Sequence, residues 1–302
     1  MTVRTFKLTV AYDGSEFFGW QRQGSRRTVQ AELESAIEQA TGHRPRTLAS
    51  SRTDAGVHAW GQCVGVRVAT RLGPDVLLRA LNAILPQDIA VRDVVETGPE
   101  FHPLRSASGK LYRYVIFDGP VRDVFARRYC WHFRQGPLDV AAMQEAAKLL
   151  IGTHDFRSFS TSGSPRKSTV RTLRQLSVHR VNAPLFVGLG PPAPGDKTLS
   201  AELPLTTAIS SVYENATTPN SPIGPNLALA ASMGPGWIIC EAAADGFLYN
   251  MVRNLVGTLV EVGRGVHPPA WTADVLQARD RRRAGPTAPP HGLFLMHVTF
   301  SR

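Results

Sequence analysis

Phe6, Leu8, Val10 and Tyr12 alternate with less apolar neighbours, and the chain then switches to apolar residues four apart at Val29, Leu33 and Ile37. A two-residue period is that of a half-buried strand, and a period near 3.6 is that of an amphipathic helix. This switch recurs along the chain and limits the fold more than any other feature. A first set holds the opening strand, a helix capped by Thr28, a strand at 63–68, a helix begun by Pro74 and a strand at 89–95. A second set holds strands at 111–117, 170–181, 236–242 and 293–300. Its helices are one opened by Pro137 and one at 247–262, the latter striped by Leu248, Met251, Leu255, Leu259 and Val262. Each set offers several strands and about two helices, with connections that suit antiparallel pairing. The expectation is an α+β fold of two similar subdomains, residues 1–105 and 106–302. No internal sequence repeat supports that likeness, which rests on element order alone.

Residues 183–235 break the pattern. They are rich in Pro, Gly, Ser, Thr and Ala, and a loop that long is expected to be a peripheral insertion without a catalytic role. The remaining length and 43% hydrophobic content suffice for a sizeable core. No apolar run reaches the roughly 18 residues that a membrane helix needs, so no membrane association is expected. The N-terminus enters a strand directly and does not read as a signal peptide. Cys63, Cys130 and Cys240 are too dispersed for a zinc site or disulfide framework, and fit buried thiols in a reducing cytoplasm. No paired-histidine spacing suggests a metal.

The formal net charge is +10, which makes a polyanion the first partner to consider, and nucleic acid the first polyanion. Basic residues cluster at Arg22, Arg26 and Arg27, at Arg127 and Arg128 beside Tyr129 and Trp131, at Arg166 and Lys167, and at Arg281, Arg282 and Arg283. Interleaved cations and aromatics suit phosphate contacts and base stacking.

The chemistry centres on Ser51-Arg52-Thr53-Asp54-Ala55-Gly56-Val57-His58. One carboxylate stands in a tight, glycine-containing turn, where a protein can hold a reactive group rigidly; an ordinary Asx-type turn would read the same way. Tyr112 and Tyr114 share one face of their strand, with Arg113 on the other. Arg253 lies inside the strongest helix, on the side opposite its apolar stripe, with Asn250, Asn254, Gly257 and Glu261. That side either meets solvent or lines a cleft in which Arg253 pairs with a carboxylate and keeps it ionised.

The segment Arg52-Thr53-Asp54-Ala55-Gly56-Val57-His58 resembles the signature of the tRNA pseudouridine synthase A (TruA) family. The likeness continues in Ala80-Leu81-Asn82, Phe101-His102-Pro103, Lys110-Leu111-Tyr112-Arg113-Tyr114, Gly152-Thr153-His154-Asp155-Phe156 and Phe247-Leu248-Tyr249-Asn250-Met251-Val252-Arg253. It spans nearly the whole chain except 183–235. The resemblance implies a continuous mixed, mostly antiparallel central sheet flanked by helices, with a catalytic cleft between the subdomains. It implies isomerisation of uridine to pseudouridine in the anticodon stem-loop of tRNA, at positions 38–40, by a cytoplasmic homodimer without cofactor or metal. Asp54 matches the catalytic nucleophile, which attacks either ribose C1′ or uracil C6. Tyr112 matches the tyrosine that stacks on the target uracil. Arg253 matches the arginine paired with the aspartate, and Arg52 the residue that enters the helical stack as the base leaves. Arg22, Arg166 and Lys167 are the further substrate-binding candidates.

Two other readings share these motifs: the same chemistry at another RNA site, and a non-catalytic RNA-binding protein on the same scaffold. A carboxylate facing a polyanion repels phosphate, which argues against the second.

Overall fold

Phe6, Leu8, Val10 and Tyr12 are all buried on one face of β1 (Val3–Tyr12). In the computed structural model, which describes residues 2–161, 168–181 and 236–300, this strand lies between β3 (His58–Ala69) and β4 (Ile89–Thr97), antiparallel to both. The short strand β2 (Arg46–Ala49) pairs with β3 as a hairpin. Two helices, α1 (Val29–Thr41) and α2 (Pro74–Ile84), bury Val29, Leu33, Ile37, Leu77 and Leu81 in the same core. Thr28 caps α1 through the Ala31 N–H, and Gly42, at φ 73°, ends it in the left-handed region.

The second set repeats this pairing. Its central strand, β5 (Ala107–Phe117), runs antiparallel to both β9 (Trp237–Ala244) and β10 (Leu293–Phe300). Beyond β9 come β8 (Val170–Val181) and β7 (Gly152–Asp155), and β6 (Trp131–His132) adds to β5. The two sets join where β10 pairs in parallel with the start of β3, through Phe294 with His58 and Leu295 with Ala59. The result is one ten-stranded sheet in the order β4-β1-β3-β10-β5-β9-β8-β7. The loop that carries Asp54 ends where this seam begins.

The helices of the second set are α3 (Val140–Lys148), α4 (Met251–Gly263) and α5 (Trp271–Ala278). Tyr112, Tyr114 and Ile116 face them. The opposite face of β5 carries Val115, which packs with Ile239, Trp237, Ala126 and Cys130 beneath the 118–133 segment. There Arg113 pairs with its cross-strand neighbour Glu241 at 2.6 Å, both buried.

Three local readings need correction. Asp139, not Pro137, begins α3, because its carboxylate accepts the Ala142 N–H and so caps the helix at Val140. The weak alternation in 170–181 has a cause in the ladder: a register shift between Leu173 and Gln175 moves the buried positions from odd to even. Finally, α4 starts at Met251 rather than 247, because Asn250 adopts φ 59°, outside helical geometry. The side of α4 opposite its apolar stripe is not a solvent face. Asn254, Gly257 and Thr258 are buried there. A side chain on Gly257 would come within 1.7 Å of the Pro286 carbonyl oxygen, so glycine lets the 284–288 segment lie flat on the helix.

Cys63, Cys130 and Cys240 are free and buried, and burial pushes each thiol up to about 12. The insertion expected at 183–235 lies outside the described residues. Among those described, no helix is long and apolar enough to cross a membrane.

Candidate active site

The loop between β2 and β3 is pinned at its base by the Ser50 N–H, which donates to Cys63 O at 2.9 Å. At its tip the Val57 N–H donates to Asp54 O at 3.1 Å, with Gly56 at φ 77°. A β-turn with glycine in the left-handed region at its third position follows, and Asp54 opens it. The 13–27 loop braces the turn from outside. Trp20 N donates to Thr53 O at 3.0 Å, and Gly56 N donates to Phe17 O. Gly19, at φ 82°, has no room for a side chain, since a Cβ would meet Thr53 O at 2.6 Å.

His58 fastens the other end of the turn. Its Nε2 faces two acceptors, Arg128 O at 3.1 Å and His291 O at 3.2 Å, so the network assigns a proton there. Its Nδ1 meets the Gly14 N–H and Asp13 Oδ1. Burial disfavours the Asp13 carboxylate. The His58 imidazole beside it and the hydrogen bonds from Ser15 and Tyr129 nevertheless outweigh that and hold it well below the usual carboxylate range. One imidazole thus ties the first loop, the Asp54 turn and the approach to β10.

Asp54 faces the first turn of α4 across the seam. Its Oδ2 stands 3.7 Å from Arg253 Nη1, and 31% of its side chain is exposed. Arg253 is held in turn, with Nε donating to Ala288 O at 2.7 Å and Nη1 to Asn250 Oδ1 at 3.0 Å. The left-handed Asn250 also donates to Thr161 Oγ1, and Thr161 N donates to Tyr249 O. This fixes the turn that precedes α4 and presents Tyr249, 46% exposed, at the rim. Tyr112 forms the floor, nearly buried, with its ring edge-on to Phe247 at 5.1 Å. Arg52, Asp54, Tyr112, Phe247, Tyr249 and Arg253 all line one cavity of about 70 Å³. That is well below the ~300–1,000 Å³ of common small-ligand sites, so the pocket as it stands is too small for a ligand of that size. Arg52 and Tyr249 are its exposed members.

The electrostatics of the pair are poised. Burial raises the Asp54 pKa above its ordinary value, and the Arg253 charge opposes the rise. Burial likewise lowers the Arg253 pKa, against the pull of Asp54 and of Tyr114 and Tyr249. At 3.7 Å the attraction only partly compensates for desolvation of both partners. No hydrogen bond among the described residues reaches the Asp54 carboxylate. The group is therefore partly desolvated and open to an incoming electrophile, as a carboxylate nucleophile must be.

Four of the sequence candidates, Asp54, Tyr112, Arg253 and Arg52, thus meet in one pocket. Arg22 does not join them, because its guanidinium pairs with Glu34 on α1 at 2.8 Å. Arg166 and Lys167 lie outside the described residues. In two basic clusters some members turn inward, while Arg127, Arg128, Arg282 and Arg283 stay exposed. Tyr129 donates to Asp13 Oδ2, and Trp131 packs edge-on against Tyr114 and Phe133, so both half-buried rings also have packing partners. Arg281 turns inward to Asn254 and Thr287. Sequence reading missed Tyr12, Gln62 and Lys110, which brace the Asp54 loop from beneath. Lys110 Nζ donates to Ser50 O at 2.6 Å, and its place two residues before Tyr112 already put it on the same face.

A second cavity, about 550 Å³, opens on the other face of the sheet, between Trp60, Val115, Tyr129, Phe294 and Met296. It is larger and lacks Asp54, and Asp13, His58, Asp88, Arg113 and Asp123 stand at its edge. Among the described residues, no group of three His, Cys, Asp or Glu side chains could hold a metal ion.

Residues 8–103 and 146–301 match the family described as tRNA pseudouridine synthase. The chain is 40% identical over 296 residues to tRNA pseudouridine synthase A of Moorella thermoacetica, covering 97% of this chain and 98% of that one. It is 38% identical over 301 residues to the protein of that name from Geobacillus sp., with 98% of both covered. Against the Brevibacillus brevis protein the identity is 37% over 298 residues, covering 99% of this chain and all of the other.

Proposed function

This chain belongs to the tRNA pseudouridine synthase family, and we propose that it acts on the anticodon stem-loop of tRNA, at positions 38–40, with Asp54 as its nucleophile. It is an isomerase that converts uridine to pseudouridine in tRNA. The observation that carries the site assignment is the Asp54 carboxylate, which no hydrogen bond from the described residues reaches, 3.7 Å from Arg253 in a pocket floored by Tyr112.

The steps divide among the side chains as follows. The target uridine leaves its stack at a cost of a few kcal/mol, and the exposed guanidinium of Arg52 at the rim can fill the vacated plane. The uracil lies against Tyr112. Asp54 adds to ribose C1′ or to uracil C6, two atoms that set it the same task of attacking as an ionised carboxylate. The C1′–N1 bond breaks, the uracil turns, and C5 bonds to C1′. The bond to Asp54 breaks as C5 bonds to C1′ on the C1′ route, or by elimination from C6 on the other; C5 then loses its proton and N1 takes one up, so substrate and product have equal composition and no redox change occurs.

The direct test incubates the purified protein with tRNA transcripts labelled with tritium at uridine C5. Tritium release should accompany pseudouridine mapped in the anticodon stem-loop. Pseudouridine elsewhere would overturn the proposed target, and no pseudouridine in any tRNA would overturn the reading itself.

We also propose a homodimer. Phe125 is 89% exposed beside the larger cavity, with Val121 and Val124 exposed on the same segment, so a knob adjoins an apolar hollow as a two-fold contact requires. Sedimentation should give a dimer at micromolar concentration and a monomer for Phe125→Asp. A monomeric parent protein would end this proposal.

A further inference from the structure

Gln62 interrupts the apolar run of β3 that continues through Val64, Val66 and Val68, and it is completely buried. A buried amide left without partners costs about 1–3 kcal/mol, so its contacts report what it is there to hold. Oε1 accepts from Ser50 Oγ at 3.0 Å and from the Ser51 N–H at 3.3 Å. Nε2 donates to Ser51 O at 2.7 Å and to Tyr12 Oη at 3.4 Å. The amide orientation follows from Ser51, whose N–H and C=O would each meet the wrong group if it were reversed. With its oxygen already accepting from Gln62, Tyr12 is free to donate to Thr53 Oγ1 at 2.7 Å. Burial keeps the Tyr12 phenol protonated and able to donate.

We propose that Gln62 is a positioning residue for Asp54. It clamps both sides of Ser51 and, through Tyr12, Thr53, so the backbone leading into Asp54 is held from inside the sheet. Lys110 bonds Ser50 O from β5 and sets the same loop against the second strand set. Among the described residues the carboxylate itself has only the loose contact with Arg253, so its place opposite the substrate is set by this frame. The inference rests on the functional reading above.

The test compares the parent protein, Gln62→Met, Tyr12→Phe and the double variant on tRNA. Gln62→Met keeps the volume and removes every bond. A reacting group displaced by about 1 Å loses on the order of 100-fold in rate, so kcat should fall about 10- to 100-fold while KM for tRNA stays within about twofold. A side chain needed only for folding would lower the melting temperature and leave kcat per folded molecule unchanged. In the Tyr12→Phe background the Gln62→Met loss should shrink, since one relay carries part of both effects. An unchanged kcat, a rise in KM alone, or additive losses would each overturn the proposal. If Gln62→Met does not fold, Tyr12→Phe still decides: its kcat should fall with KM unchanged, and full activity sinks the relay. A parent protein inert towards tRNA would instead sink the functional reading, and this inference with it.

Discussion

Asp54→Ala should lose pseudouridine formation by about 10⁴-fold or more, the scale on which removal of a covalent nucleophile is felt. Binding of tRNA should persist within a few-fold, because the variant removes a negative charge from a basic protein and leaves its cations in place. Single-turnover assays beside filter binding separate the two quantities. Activity retained in the variant would remove Asp54 from the mechanism, whichever substrate atom it attacks. Asp54→Asn adds a stability test. A carboxylate whose pKa is raised on folding contributes its full stability below the unfolded value, and loses it as pH rises through the folded value. The Asp54 pKa is raised by burial, so ionised Asp54 weakens the fold at neutral pH. Asp54→Asn should therefore melt higher than the parent at pH 7. The gain should vanish as pH falls towards about 4, where an unperturbed carboxylate protonates. A site that costs stability where it works is the pattern expected of catalytic groups.

The strands and helices of the first set were legible because one face of each is buried against a single layer, which leaves a clean period in the sequence. The β8 alternation was hidden because a bulge shifts its phase after Leu173, and no residue type announces a bulge there. The seam between β3 and β10 was not legible from periodicity, since it rests on the backbone of His58, Ala59, Phe294 and Leu295. Asp54, Tyr112 and Arg253 stood out by motif, but their convergence depends on that seam. Arg253 was ambiguous for a physical reason. A polar helix face looks the same in sequence whether it meets water or, as with Asn254 and Arg281, a satisfied polar layer. Gln62 did carry a signal, as an amide inside an apolar strand, though its partners are distant in sequence. Beside arginines Tyr129 and Trp131 resemble a stacking platform, and their contacts with Asp13, Tyr114 and Phe133 were not legible because those partners are set by the fold.

Arg253→Met should lower kcat by about 100-fold, comparable to removing one preorganised charged donor from an active site, and should move the acidic limb of the kcat/KM profile to higher pH. The sign follows from the two influences on Asp54. Burial favours the protonated acid and Arg253 favours the carboxylate, so deleting the guanidinium leaves burial unopposed and Asp54 ionises later. The nucleophile is the ionised form, so the variant should recover part of its rate as pH rises. Arg253→Lys separates charge from geometry. Lysine restores the positive charge and should return the limb most of the way, but it cannot reproduce the fork that reaches Ala288 O through Nε and Asn250 through Nη1. Its kcat should therefore stay below the parent value even at high pH. A limb that stays in place in Arg253→Met would show that Arg253 acts on the shape of the α4 turn and not on the ionisation of Asp54. A limb that moves to lower pH would mean that the raised Asp54 pKa has another origin than burial.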